Sequence, residues 1–281
     1  MSFGPAPWQQ TNWDWRAAGN FMCGGAGAGL IVFTAVARVF GPALTALTLG
    51  ALALIGLGLG CVWLELGRPL RALHVFFNLR TSWMTREASV ATLLFPVGFL
   101  AAVGVPGCDW AAAVLALAFV YCQGRMLQAA KGICAWREPT FPLLIVITGL
   151  AEGGGLFLLT APWHEAETPS LLALFGLLVL ARLLVWLAYR RRLAATVAPP
   201  ANVALDRAGW MLQLVGTLAP LALLAAIAVG AVAGTQIVFV AAIAGFMATA
   251  AGAYMKYTLV TRAGFNQGFA LAHLPVRGAR P

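Results

Sequence analysis

Eight separate apolar runs dominate this chain, and each is about 18 residues long or longer. About 20 helical residues cross the hydrocarbon core of a bilayer, so each run is predicted to be a transmembrane helix. Hydrophobic residues make up 61% of the chain and charged residues only 10%, a balance that excludes a soluble domain. The sequence therefore predicts an all-α integral membrane protein with eight transmembrane helices, at 17–40, 43–64, 87–106, 109–132, 140–161, 170–189, 208–231 and 235–258.

Lysine and arginine residues are distributed unevenly between the two ends of these helices. An even number of helices places both termini on one side, together with the loops after the second, fourth and sixth helices. Nearly all cations at helix ends and in loops belong to that side, whereas the other side has Arg38 and carries Asp109, Glu165 and Glu167. The positive-inside rule then predicts a multi-pass protein of a bacterial or archaeal cytoplasmic membrane with both termini cytoplasmic. The net charge of +9 is an orientation signal and does not indicate nucleic-acid binding.

Cysteine and histidine residues are too few and too dispersed to suggest a metal centre in this chain. The five cysteines contain no C-x-x-C pair, which disfavours a four-thiolate iron–sulfur cluster. A membrane cytochrome b usually needs two histidines within its helices, whereas His74, His164 and His273 lie in loops or at predicted helix ends. We expect a haem-free chain without metal ligands, with any metal centre in a partner subunit.

The segment 65–87 concentrates ionisable residues between the second and third apolar runs. Pro69 is well placed to begin a short helix, on which Arg71, His74 and Asn78 would share one face. This pattern predicts a helix lying in the membrane interface, followed by Ser82 as the N-cap of the third helix. Such cations often only anchor helices to lipid headgroups. Two carboxylates in the segment, Glu65 and Glu87, instead suit quinone chemistry, because quinone reduction takes up two protons with two electrons.

Glu152 lies about twelve residues into the fifth predicted helix, next to three glycines. A lone charge at that depth costs roughly 2.5–3.5 kcal/mol, so it should be protonated, paired or wetted. Arg125 and Arg182 are its candidate partners from the fourth and sixth helices. Glu152, Arg125 and Arg182 are interpreted either as a proton path or as an ion pair that fixes helix packing. A secondary transporter that uses Glu152 at the midplane is the alternative function.

Two motifs in the first half of the chain carry a resemblance to a known family. The run Glu65-Leu66-Gly67-Arg68-Pro69-Leu70-Arg71, followed by Asn78-Leu79-Arg80-Thr81-Ser82-Trp83-Met84-Thr85-Arg86-Glu87, resembles dimethyl sulfoxide reductase anchor subunits within the wider NrfD/PsrC-like superfamily. Shorter similarities follow at 124–126, 131–136 and 148–153. The resemblance covers roughly the first 160 residues, and the remainder agrees only in helix count.

The resemblance implies a haem-free, eight-helix subunit that passes electrons between an iron–sulfur partner and the membrane quinone pool. The quinone would be menaquinone or ubiquinone, and iron–sulfur clusters and molybdopterin or tungstopterin would be held only by partner subunits. It implies proton exchange by Glu65, His74 and Glu87, orientation of the quinone by Asn20 and Arg71, and contact with its ring by Trp83. The implied organisation is an interfacial segment 1–16, helices one to four at 17–134 with the quinone loop 65–87, helices five to eight at 135–260, and a tail 261–281.

The opening segment 8–15 and the motif loop together resemble the membrane subunits of phenylacetyl-CoA:acceptor oxidoreductases. A coenzyme A ester is a cytoplasmic metabolite, which agrees with the predicted cytoplasmic position of the loop. The weak similarity between 27–35 and 153–161 further predicts two four-helix units. A purely structural anchor is the remaining alternative, and it predicts that both Glu65 and Glu87 can be neutralised without loss of electron transfer.

Overall fold

The computed structural model describes residues 4, 6–65, 69–164, 168–194 and 196–268, with the backbone alone for 69–71. This part of the chain is helical and contains no strand, only two isolated bridges at Gln9–Phe265 and Ile133–Asn266. Eight long helices follow one another in it: α1 (Trp15–Ala37), α2 (Pro42–Trp63), α3 (Trp83–Ala102), α4 (Cys108–Ala129), α5 (Phe141–Leu159), α6 (Pro169–Leu193), α7 (Pro199–Ala228) and α8 (Gln236–Thr261). The predicted all-α class is thus confirmed for the described residues.

Seven of these helices, all except α3, are long and apolar enough to cross a membrane. Helix α3 has 20 residues, but Arg86 and Glu87 in its first turns lower its hydropathy. The chain therefore has the make-up of a multi-pass membrane protein with seven clear candidate spans. An eighth span at α3 stays a prediction.

Helix α5 is central, because it packs closely against α1 on one side and α8 on the other. Glycines permit both contacts: a Cβ on Gly153 would overlap the backbone of Gly29, and a Cβ on Gly245 would overlap the carbonyl of Gly155. Small residues let helix backbones approach in this way. The contact between α1 and α5 crosses the predicted boundary at 134–135, so the division into two four-helix units stays a prediction.

The linker between α6 and α7 is shorter than predicted. The sequence suggested a polar loop from Arg190 to Asp206, yet α6 continues to Leu193 and α7 begins at Pro199. Proline suits the first turn of a helix, because its missing N–H would be unpaired there. Arg190 Nη2 lies 2.6 Å from Asp206 Oδ1, so the charges expected in a loop instead join two helices.

Three short π-helical segments interrupt the long helices, at Asn20–Gly24 in α1, Leu214–Leu218 in α7 and Thr258–Arg262 at the end of α8. Each supplies carbonyl groups to side chains from elsewhere in the chain. Gln10 Nε2 donates to Val260 O at 3.1 Å, and Trp136 Nε1 donates to Leu259 O at 2.8 Å. A π-helical turn interrupts the regular i→i−4 bonding, so carbonyls in it are available to such donors. These bonds hold the N-terminal segment and the loop after α4 against the end of α8.

Candidate functional site

A cavity of about 280 Å³ lies among α1, α2, α3 and α4, and we call it the carboxylate cavity. It contains three of the residues that the sequence singled out, Asn20, Glu65 and Glu87. These residues lie on three different helices or helix ends, and 67 positions separate Asn20 from Glu87. The described residues that line it are Trp13, Ala17, Asn20, Phe21, Val62, Glu65, Met84, Glu87 and Met126.

Glu87 is the most deeply placed carboxyl of this cavity, with only 3% of the residue exposed. Ser82 Oγ accepts from Thr85 N at 3.2 Å and so confirms the predicted N-cap of α3, which places Glu87 in the second turn. Asn20 Nδ2 donates to Glu87 Oε1 at 3.1 Å. A neutral amide, rather than a cation, is therefore the partner of this buried carboxyl.

A second amide extends this contact into the protein. Gln123 Nε2 donates to the carbonyl oxygen of Asn20 at 3.0 Å, a carbonyl of the π-helical segment in α1. Asn20 Oδ1 and Gln123 Oε1 are both buried and have no hydrogen-bond partner among the described residues. Buried polar atoms are normally paired, so the unpaired Oδ1 of Asn20, a residue that lines the cavity, leaves an acceptor for a ligand that can donate. Gln123 does not line the cavity.

Glu65 lies just beyond the end of α2 and is half-buried. Burial raises the pKa of this carboxyl, the negative charge of Asp14 raises the pKa further, and Arg16 opposes both effects. Asp14 and Arg16 are themselves paired, with Arg16 Nη2 2.8 Å from Asp14 Oδ2. Arg16 Nη1 also donates to the carbonyl of Leu64 at 3.1 Å, which ties the start of α1 to the end of α2.

Trp83 faces a different cavity from the one that the sequence predicted. This second space, the basic cavity, has a volume of about 470 Å³ and is lined by Trp83, Arg125, Gln128, Ala129, Lys131 and Arg137. The guanidinium groups of Arg86 and Arg125 lie 4.2 and 4.6 Å from the centre of the Trp83 ring. Cation–π contact of this kind fixes the indole between two arginines. Trp83 does not line the carboxylate cavity, so its predicted contact with a quinone ring stays a prediction.

His74 is exposed and does not line the carboxylate cavity, so its predicted role in proton exchange stays a prediction. It lies on the helix Pro69–Phe77, which is a 3₁₀-helix rather than an α-helix. Residues three apart share a face in a 3₁₀-helix. His74 consequently meets Phe77 edge to face, with 5.2 Å between the ring centroids, and Asn78 follows the helix as a partner of Thr81. The side chain of Arg71 lies outside the described part of the chain.

Glu152 forms a buried ion pair, but its partner is neither of the predicted arginines. Lys256 Nζ, from α8, lies 2.6 Å from Glu152 Oε2, and the two side chains are 0% and 1% exposed. Lys256 Nζ also donates to the carbonyl of Phe21 at 3.0 Å, the second carbonyl supplied by the π-helical segment of α1. Arg125 is remote from this pair, since it bonds to Tyr121 Oη at 2.9 Å.

Arg182 is fully buried near the same ion pair, but it bonds to backbone. Its Nη1 donates to the carbonyl of Ala248 at 2.8 Å, and its Nη2 donates to the carbonyl of Gly216 in the π-helical segment of α7. Glu152 Oε1 and Arg182 Nη1 both approach Gly252, where a Cβ would lie 2.7 and 3.0 Å from them. The absence of a side chain at Gly252 therefore makes space for both groups.

No protein-family model matches the chain, and no curated protein matches it either. The interpretation of the site consequently depends on its own geometry.

Several residues of this region were not recognised from the sequence. Phe21, Met84 and Gln123 had no signal beyond a position within or beside an apolar run. Lys256 was assigned to a cytoplasmic helix end, although a cation inside the last run is itself a signal, because it must find an anionic or carbonyl partner in lipid. Trp13 precedes the first predicted helix and was not recognised as a partner of Phe21, which it contacts with 5.9 Å between ring centroids.

Proposed function

We propose that this chain is a haem-free, quinone-reactive membrane subunit of a molybdenum or tungsten and iron–sulfur oxidoreductase. It passes electrons between an iron–sulfur partner and the membrane quinone pool. The observation that carries the proposal is the carboxylate cavity, in which Asn20, Glu65 and Glu87 meet in a largely apolar space beside two aromatic rings. The proposal includes α3 as an eighth span, two four-helix units and cytoplasmic termini.

The residues of the carboxylate cavity suit the head group of a quinone. A menaquinone or ubiquinone head is a flat apolar ring that carries oxygens, and the rings of Trp13 and Phe21 offer a matching apolar wall. The open acceptor at Asn20 Oδ1 suits the hydroxyl of a quinol. A quinone supplies two-electron chemistry when bound, whereas the chain itself supplies binding groups and protons.

Two carboxyl groups at different depths suit the transfer of protons. Glu87 is buried at the inner wall of the cavity, and Glu65 is half-buried beyond the end of α2. A carboxyl that is near a reacting oxygen and has no tight cation partner can give or accept a proton there. Glu87 is therefore proposed to exchange protons with the quinone, and Glu65 to exchange protons nearer the surface. His74 does not line this cavity and has no part in the proposed proton transfer.

The basic cavity supports the proposal that an iron–sulfur subunit docks beside the quinone site. Arg125, Lys131 and Arg137 line it, and Arg125 precedes Met126, which lines the carboxylate cavity. Complementary charge positions partners and speeds their encounter. An acidic surface of an iron–sulfur protein would thus dock near the quinone. That partner would in turn bind a molybdopterin or tungstopterin subunit acting on a cytoplasmic substrate such as phenylacetyl-CoA.

Replacement of Glu87 by glutamine tests the proposed function directly. We expect Glu87→Gln to lower quinone-dependent electron transfer in the purified native complex by at least about 100-fold, because a positioned proton donor commonly contributes that much. Asp109→Asn is the matched control, since Asp109 is a carboxylate in the first turn of α4. Equal activity of Glu87→Gln and the control would contradict the proposal, as would purification of the chain without redox partners.

The position of Asp14 gives a pH-dependent prediction. Asp14 raises the pKa of Glu65, so replacing it with asparagine should lower that pKa. If quinol oxidation needs ionised Glu65, activity falls as pH drops through this pKa, and the acid limb should move to lower pH in Asp14→Asn. Asparagine can still act as the N-cap of α1, so this substitution removes the charge of Asp14 and keeps the helix cap. An unchanged acid limb in a pH profile of quinol oxidation would remove Glu65 from the mechanism.

The transporter alternative gains no specific support from the geometry. A transporter that uses Glu152 needs the group to meet its substrate, but Glu152 is fully buried and paired with Lys256. Glu152 lines neither the carboxylate cavity nor the basic cavity. Substrate flux by the purified chain alone in liposomes would restore this alternative.

A further inference from the structure

A second cavity lies on the other side of Glu87, and its volume is about 350 Å³. We call it the apolar cavity. Its own lining residues are Leu59 and Trp63 from α2, Ala72 and Val75 from the 3₁₀-helix, and Ala88 from α3. The function proposed above does not use this space.

The apolar cavity and the carboxylate cavity share a wall. Val62, Met84 and Glu87 line both of them, so these side chains form a wall that the two spaces share. Met84 is 40% exposed, and methionine is a flexible side chain that adapts to irregular neighbours. This wall therefore contains a side chain that can adapt to a ligand in either cavity.

The two cavities differ in chemistry in a way that matches a molecule with two unlike parts. The carboxylate cavity has Asn20 and Glu65 in addition to Glu87, whereas Glu87 is the one ionisable residue among the described residues that line the apolar cavity. A polar head fits the first cavity, and a hydrocarbon chain fits the second. The apolar cavity lies between α2, α3 and the 3₁₀-helix, so a hydrocarbon chain within it would contact these three elements.

The 3₁₀-helix is built to cover this second space. Ala72 and Val75 are three residues apart, so they share one face in a helix of three residues per turn, and both line the cavity. Thr85 Oγ1 donates to the carbonyl of Val75 at 2.5 Å, which fastens the 3₁₀-helix to α3. The small side chains of Ala72 and Ala88 leave the volume that a chain would occupy.

We propose that the apolar cavity is the binding subsite for the isoprenoid tail of the quinone, and that the quinone enters between α2 and α3 beneath the 3₁₀-helix. This inference rests on the proposed quinone function. Its occupant is argued from the shared wall of Val62, Met84 and Glu87 and from the contrast between the two linings. The affinity for a quinone with a tail should therefore depend on residues of the apolar cavity that a quinone without a tail does not contact.

The test compares two quinones with the same ring, one with an isoprenoid tail and one without. Binding of each to the purified chain in lipid nanodiscs is measured by the quenching of tryptophan fluorescence. Ala88 lines the apolar cavity but not the carboxylate cavity, so Ala88→Phe should fill only the apolar cavity. Leu93→Phe is the matched control, because Leu93 lies on the same helix and is 58% exposed. Ala72→Leu fills the cavity from a different element and guards against a local folding defect in α3.

We expect Ala88→Phe and Ala72→Leu to weaken binding of the tailed quinone by more than about tenfold, since each buried CH₂ group contributes several-fold to affinity. Binding of the tailless ring and of either ring to Leu93→Phe should change by less than about twofold. Equal losses for both rings, or none for the tailed one, would overturn the tail subsite while leaving the quinone function in place. Failure of the wild-type chain to bind either ring would instead overturn the proposed function itself.

Discussion

Exchange of Lys256 for methionine is expected to destabilise the folded protein by about 3–5 kcal/mol, because it leaves the Glu152 carboxylate buried without its cation. Both side chains are at most 1% exposed, so water cannot replace the lost partner. The quantity to measure is the free energy of unfolding in a detergent titration. The mutant should also lose the bond from Lys256 Nζ to the carbonyl of Phe21.

The double variant Lys256→Met/Glu152→Gln separates charge from packing. Removal of both charges should recover much of the lost stability, since a buried ion pair replaced as a whole is often nearly neutral. Asp206→Asn serves as the surface control: Asp206 pairs with Arg190 and is 62% exposed, so the loss there should stay within about 1 kcal/mol. A double variant as unstable as Lys256→Met would show that the pair does not act as a unit. Unchanged quinone activity in it would favour helix packing over a proton path.

Alanine at Gly153 is expected to destabilise the protein by about 3 kcal/mol or more, at or beyond the upper end of overpacking. The new Cβ would overlap the backbone of Gly29 and Leu30, and backbone cannot move aside as a side chain can. Helices α1 and α5 would have to separate, and this would also disturb the π-helical segment of α1. Thermal unfolding in detergent would report the loss.

Gly60→Ala is the matched control for this substitution. Gly60 is also a helical glycine, in α2, but a Cβ there would meet no atom within 4 Å. Alanine has the better helix propensity, so the control should be neutral or more stable by up to about 1 kcal/mol. Similar losses at Gly153 and Gly60 would mean that intrinsic glycine effects, rather than the contact between α1 and α5, explain the result.

The positions of the helices could be predicted well from sequence because their signal is long and one-dimensional. The predicted start of the second span at 43 differs by one residue from Pro42, and Ser82 was recognised as an N-cap from its residue type and position. The start of α7 was missed, because polar residues and two prolines read as a loop. There the prolines occupy the first turn, where they fit a helix as well as a loop.

The candidate site was only partly predictable because its contacts connect distant parts of the chain. The resemblance to a family implied that Asn20 and Glu87 both contact the quinone. Their hydrogen bond shows that the two residues are adjacent in the fold. The face shared by Arg71, His74 and Asn78 was predicted with an α-helical period, whereas the helix is a 3₁₀-helix that ends at Phe77. Lys256 was missed as the partner of Glu152, because pairing across 104 positions depends on how the helices pack and not on local spacing.

The backbone contact of α5 with α1 and α8 also limits where this protein can change shape. Backbone meets backbone at Gly29, Gly153, Gly155 and Gly245, so no side chain can switch rotamers at these points. Packed backbones act there as a fixed pivot, since shear between helices is absorbed by side-chain repacking. Distances among α1, α5 and α8 are therefore expected to stay constant during turnover, while other elements move to admit a ligand.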